Sequence, residues 1–127
     1  MRIMHTMLRC TDLQASIKFY CSVLKMKELR REEFPEGKFS LVYLGYGDEG
    51  STSVLELTHN WDVSSYENGS GYGHIAIGAK HIGDICDEAT QRGYRVVRPA
   101  GPMKLNPSLI IAFIEDPDGY LIELIEE

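Results

Sequence analysis

Four side chains of this sequence fall into two matched pairs: His5 with Glu56 and His74 with Glu123, 51 and 49 positions apart. Each lies in a run of apolar, strand-forming residues: Met4 to Leu8, Leu55-Glu56-Leu57, His74-Ile75-Ala76-Ile77 and Ile122-Glu123-Leu124. An imidazole or carboxylate in such a run is costly unless it has a partner, and breaks in a local pattern are where functional sites are expected. A single histidine near a strand start is ordinarily structural, and a single strand glutamate ordinarily faces solvent. The doubling is what points to chemistry. Two His and two Glu offer nitrogen and oxygen ligands to one divalent ion and leave coordination positions for water or substrate.

The elements that must position these residues also occur twice. After His5 the sequence reads strand, helix, then a turn at Lys25-Met26-Lys27; after His74 it reads strand, helix, then Gly93-Tyr94-Arg95. Ser40 to Leu44 opens a later strand in one half and Ser108 to Ile111 in the other, each followed by a glycine-bearing turn and the glutamate strand. Alternation puts Glu56 on a face with Val54 and Thr58, and Glu123 on a face with Leu121 and Ile125. Thr11 and Gln14 have capping-box spacing, and Leu13, Ile17, Tyr20 and Leu24 recur at helical intervals. In the second half Ile82, Ile85, Cys86 and Ala89 make the apolar stripe, and Gly93 stands where a left-handed cap is expected. Asp116-Pro117-Asp118-Gly119 reads as a tight turn. The expectation is an α+β domain over 1–127, made of two βαβββ repeats at about 1–66 and 72–127, with Gly69 to Gly73 as linker. A half of about 55 residues is marginal alone, so the two are expected to pack together or across a dimer.

Composition bounds the function classes. With 127 residues, 43% hydrophobic and 25% charged, the chain has the balance of an ordinary folded domain rather than a fibrous or disordered one. A net charge of -6 argues against nucleic acid or an anionic membrane as partner. Any anionic substrate then needs a local basic group. Cys10, Cys21 and Cys86 are odd in number without a CxxC spacing, which excludes a zinc ribbon or disulfide framework and suits a reducing, cytoplasmic setting. No apolar stretch approaches the ~20 residues of a membrane span.

Several motifs reduce to structure. Gly45-Tyr46-Gly47-Asp48-Glu49-Gly50 matches GxGxxG, but a strand pattern follows where a dinucleotide site needs a helix, so it reads as a hairpin loop. His59 and His81 have no counterpart in the other half and read as surface residues. Trp61 and Tyr66 suit a substrate mouth or plain aromatic packing, and Cys10 and Cys21 read as packing.

The runs His5-Thr6-Met7-Leu8-Arg9, Phe19-Tyr20, Leu44-Gly45-Tyr46-Gly47, Leu55-Glu56-Leu57-Thr58 with Asn60-Trp61, Tyr72-Gly73-His74-Ile75-Ala76, and Glu115-Asp116-Pro117-Asp118-Gly119-Tyr120 with Ile122-Glu123-Leu124 together resemble glyoxalase I, the lactoylglutathione lyase family, in its short bacterial form. The resemblance covers essentially the whole chain and extends to the vicinal oxygen chelate superfamily of paired βαβββ modules.

It implies metal-dependent isomerisation of the methylglyoxal–glutathione hemithioacetal to S-D-lactoylglutathione through an enediolate, a detoxifying step. It implies His5, Glu56, His74 and Glu123 as metal ligands, Glu123 as the chief base with Glu56 a partner for the opposite face, and Arg9, Asn60 and His74 toward the substrate. A homodimer with active sites shared between subunits is implied too. Ni(II) leads as the ion, because two His and two Glu with waters suit six-coordination; Zn(II) and Co(II) follow. Glutathione is the implied co-substrate, with trypanothione or another thiol left open. Arg98 and Lys104, flanking Pro99-Ala100-Gly101-Pro102, are weaker candidates for the same anion. In the loop Pro102 to Ser108, the stretch Lys104 to Ser108 departs from close relatives and reads as one residue longer. The rivals are an acyl-CoA epimerase or extradiol dioxygenase of the same superfamily, and a metal-free drug-sequestering dimer of this fold.

Overall fold

Helix formation in the N-terminal part of the chain starts at Asp12, whose carboxylate accepts the Ala15 amide at 3.0 Å. The sequence expectation placed the cap one residue earlier, at Thr11 with Gln14. A carboxylate wins this position because it is a charged acceptor at the positive end of the helix. The computed structural model describes residues 1–127, which divide into two compact units, Met1–Glu67 and Asn68–Glu127.

The first unit runs β1 (His5–Arg9), α1 (Leu13–Ser22), β2 (Lys27–Phe34), β3 (Phe39–Gly45) and β4 (Val54–Asn60). Its sheet has the order β1-β4-β3-β2, with β1 parallel to β4 and the other neighbours antiparallel. Helix α1 buries Leu13, Ser16, Phe19 and Tyr20. Ile17, expected in that stripe, is only half-buried, and Leu24 is buried beyond the helix end. Leu8, Val42, Leu44, Leu55 and Leu57 complete this core. By alternation they leave His5, Met7 and Arg9 on the opposite face, with Tyr43, Glu56 and Thr58 beside them. From Gly45, the last residue of β3, the segment to Gly50 leads toward β4; there the Asp48 carboxylate accepts the Gly50 amide and the Asp48 carbonyl accepts from Ser51 and Thr52. It is the expected hairpin loop.

The second unit repeats the order: β5 (His74–Ala79), α2 (Ile82–Gln91), β6 (Val96–Met103), β7 (Asn106–Glu115) and β8 (Leu121–Glu126), in a sheet ordered β5-β8-β7-β6. Each unit is therefore a βαβββ module, and the fold is the α+β one expected. Helix α2 buries Ile82, Cys86 and Ala89. Its N-terminus has no local side-chain cap; the Glu126 carboxylate of β8 accepts the His81 and Ile82 amides instead, at 2.7 and 2.9 Å. At its other end Gly93 (φ 85°) takes the expected left-handed conformation, with the Tyr94 amide donating to Ala89 and the Gly93 amide to Thr90. The Asp116 carboxylate accepts the amides of Asp118 and Tyr120, and Gly119 (φ 83°) closes that turn.

Pro99 to Pro102 is not a loop. It lies within β6, an edge strand with register shifts, where prolines are tolerated because few amides are needed for the ladder. Nor is Pro102 to Ser108: Met103 pairs with Asn106, leaving a two-residue turn at Lys104 and Leu105. Neither helix is long and apolar enough to cross a membrane.

Candidate metal centre

The parallel ladder between β1 and β4 puts Met7 beside Glu56 and His5 beside Val54. His5 is thus two residues from the glutamate's partner, on the same face, and the two side chains meet diagonally. His5 Nε2 stands 3.0 Å from Glu56 Oε2. Across the antiparallel side Tyr43 pairs with Glu56, and its ring meets the His5 ring edge-on at 5.8 Å between centroids.

The second unit reproduces this step by step. Ala76 pairs with Glu123, His74 with Leu121, and His74 Nε2 stands 3.0 Å from Glu123 Oε2. Phe113 pairs with Glu123 and meets the His74 ring edge-on at 5.4 Å. In both pairs the imidazole is the more exposed member, at 39% and 40%, while the carboxylates are 11% and 16% exposed. Each pair thus presents a nitrogen and an oxygen from a half-covered sheet face. A separation of 3.0 Å suits a direct hydrogen bond, and it also suits two adjacent ligands each about 2.1 Å from one ion. Neither unit by itself gathers three or more His, Cys, Asp or Glu side chains into a metal site.

The surroundings differ. The Thr58 hydroxyl donates to Glu56 Oε1 at 3.0 Å, and Tyr43, paired with Glu56 across the sheet, sets its phenol beside the same carboxylate. Burial foremost, and the adjoining carboxylate, push the Tyr43 phenol up, so at neutral pH it remains a protonated donor. The Arg30 guanidinium covers the Tyr43 ring at 3.7 Å and is itself held by Glu49 at 2.8 and 2.9 Å. Tyr43 and Thr58 carry no signal in the sequence as single residues. Their signal is register: one pairs with Glu56, and the other follows it by two on the same strand face.

Residues 2–124 match the family model of the Glyoxalase/Bleomycin resistance protein/Dioxygenase superfamily. The chain belongs to this superfamily. Among similar proteins, a lactoylglutathione lyase of Salmonella typhimurium is 56% identical over 126 residues, covering 99% of this chain and 93% of its own. A glyoxalase I from Leishmania major, described as trypanothione-dependent, superposes with a TM-score of 0.89 at 43% identity, over 100% of this chain and 87% of that one. Glyoxalase I from Zea mays gives 0.95 at 36% identity over 99% of this chain; the chain spans 44% of the maize protein.

The remaining expected site residues are distributed unevenly on this superfamily fold. Arg9 shares the exposed face of β1 with His5, as alternation required. Asn60 ends β4, and its amide donates to the Tyr66 hydroxyl at 2.9 Å. The Arg98 guanidinium donates to the carbonyls of Gly101, Ile111 and Pro102, so much of its donor capacity is spent holding β6 in place. Lys104 lies in the exposed β6–β7 turn. His59 is half-buried rather than a surface residue, its Nδ1 3.2 Å from the Cys10 carbonyl, whereas His81 is exposed. Trp61 donates to the Ser40 hydroxyl. Cys10 and Cys86 are buried, Cys21 is half-buried, and none is in a disulfide.

Proposed function

We propose that this chain is a lactoylglutathione lyase that isomerises the hemithioacetal of methylglyoxal and glutathione to S-D-lactoylglutathione. The observation that carries the reading is the duplicated His–Glu contact, His5–Glu56 and His74–Glu123, each at 3.0 Å. It occurs in a chain 56% identical, over 99% of its length, to a protein of that name. The proposed site uses these four side chains together as ligands of one divalent ion, with the two units forming one domain and a homodimer sharing its active sites. Ni(II) is the first choice because nitrogen and carboxylate oxygen donors with open positions suit it; Zn(II) and Co(II) come next.

When bound, the ion supplies a Lewis acid for the two vicinal oxygens of the substrate. The chain's residues do the rest. The proton on C1, next to sulfur, passes to the Glu123 carboxylate and returns to C2, while the hydroxyl hydrogen moves from the C1 oxygen to the C2 oxygen. The product carries the thioester carbonyl at C1 and the new hydroxyl at C2, with no net oxidation. Glu56 serves chiefly as a ligand. Arg9 presents a guanidinium fork for a glutathione carboxylate, offsetting locally the net charge of -6. Asn60 and His74 complete the contacts to substrate. Three cysteines outside any disulfide suit a reducing compartment, which supports a cytoplasmic location.

The deciding experiment is thioester absorbance on mixing metal-loaded protein with glutathione and methylglyoxal. Product formation is expected. Metal-bound protein that makes no product from either glutathione or trypanothione adducts would overturn the assignment.

A further inference from the structure

Glu56 and Glu123 occupy the same register position in their modules, yet hydrogen bonding treats them differently. Two residues past Glu56 stands Thr58, and its hydroxyl donates to Oε1 at 3.0 Å. Opposite Glu56 stands Tyr43, whose phenol lies beside the carboxylate. The equivalent positions around Glu123 are Ile125, two residues on, and Phe113, opposite. Both hydroxyls have become hydrocarbon. The His contact is the same in the two modules, so the difference lies in the tether alone.

We propose that Thr58 and Tyr43 are positioning residues that tether Glu56 as a permanent ligand, while the hydrocarbon flank of Phe113 and Ile125 leaves Glu123 free to leave the ion and carry the substrate proton. The inference rests on the reading of Glu56 and Glu123 as ligands of one metal centre. A carboxylate acting as both ligand and base must swing away and come back. For Glu56 that motion breaks the Thr58 hydrogen bond and withdraws the carboxylate from the Tyr43 phenol, both on buried residues, Thr58 at 9% and Tyr43 at 6% exposure. An unmet carboxylate or hydroxyl at such depth is expensive, so the swing is resisted. For Glu123 no side-chain hydroxyl bond has to be broken. Partners that orient a ligand in this way matter at the metal: their loss costs affinity roughly 10- to 100-fold.

The test uses the full-length protein and Co(II) alone as probe, titrated against a competing chelator while the visible spectrum of the bound ion is recorded. Thr58→Val keeps shape and removes the hydroxyl; Thr58→Ser restores the hydroxyl; Ile125→Thr installs the missing tether beside Glu123. The expected results are Co(II) binding weakened roughly tenfold or more in T58V with an altered spectrum, recovery in T58S, and wild-type affinity in I125T with kcat reduced several-fold at unchanged KM. T58V with wild-type affinity and spectrum would overturn the tether, as would T58S no better than T58V, or I125T with wild-type kcat. If T58V does not fold by circular dichroism, Tyr43→Phe carries the same affinity measurement with the same two outcomes. Wild-type protein that fails to bind Co(II) would overturn the four-ligand reading itself, which separates that failure from failure of the tether.

Discussion

His5 Nε2 meets Glu56 Oε2 at 3.0 Å because Glu56 pairs with Met7, two residues along β1 from the histidine. Parallel pairing puts the imidazole and the carboxylate on one face, one diagonal step apart. The same offset, through Ala76, brings His74 to Glu123. A shift of one residue in either register would send the glutamate to the other face of its sheet, among Leu8, Val42 and Leu57 or their counterparts.

The two glutamates should separate kinetically. Glu123→Gln keeps an oxygen donor but no base, so kcat is expected to fall roughly 10²- to 10⁴-fold with metal still bound. Glu56→Gln is expected to act mainly on the ion, raising the metal concentration needed for half-maximal activity. Metal content and steady-state rates on both variants check this; equal kcat losses at full metal occupancy would refute it.

Arg9→Ala removes a charge from the exposed face shared with His5 and should weaken binding of the glutathione moiety. A charge-assisted hydrogen bond of about 1.5–3 kcal/mol corresponds to a rise in KM of roughly tenfold or more, with kcat nearly unchanged. Arg9→Lys should recover only part, since an ammonium lacks the planar fork. A kcat loss without a KM change would place Arg9 in the chemistry instead.

Arg98 is expected to behave as a structural residue. Its guanidinium donates to three backbone carbonyls of β6 and β7. Arg98→Ala should cost about 1–3 kcal/mol and lower Tm by roughly 3–8 °C, leaving KM for the hemithioacetal at the wild-type value. Thermal unfolding with parallel kinetics distinguishes this from a substrate-binding role, in which KM would rise while Tm held.

Acid should loosen the start of α2. The backbone amides of Ile82 and His81 hold the Glu126 carboxyl below its ordinary value of 4.5. A depressed folded value means that its stabilising contribution is present above pH 4.5 and is lost as pH falls through the folded value. Tm of the wild type should therefore drop below that pH more steeply than Tm of Glu126→Gln. The gap between the two proteins should narrow on acidification. A gap constant across the acid range would refute this account.

Much of the architecture was legible because it is locally encoded and written twice. Apolar alternation, Gly93 in its left-handed cap and the Asp116–Gly119 turn each depend on a few neighbouring residues. Duplication of His and Glu at nearly equal spacing marks both His–Glu pairs in the sequence itself. Tertiary structure decided what depends on partners far along the chain. The cap of α2 comes from Glu126, 44 residues beyond Ile82, so no local pattern announces it. The Pro99–Pro102 stretch becomes an edge strand only because β7 lies beside it and its missing amides face no partner. The inequality of the two glutamates is likewise invisible in spacing. It arises because pairing sets Tyr43 opposite Glu56 and Phe113 opposite Glu123, and one hydroxyl oxygen is the difference between a tethered carboxylate and one with hydrocarbon at its side.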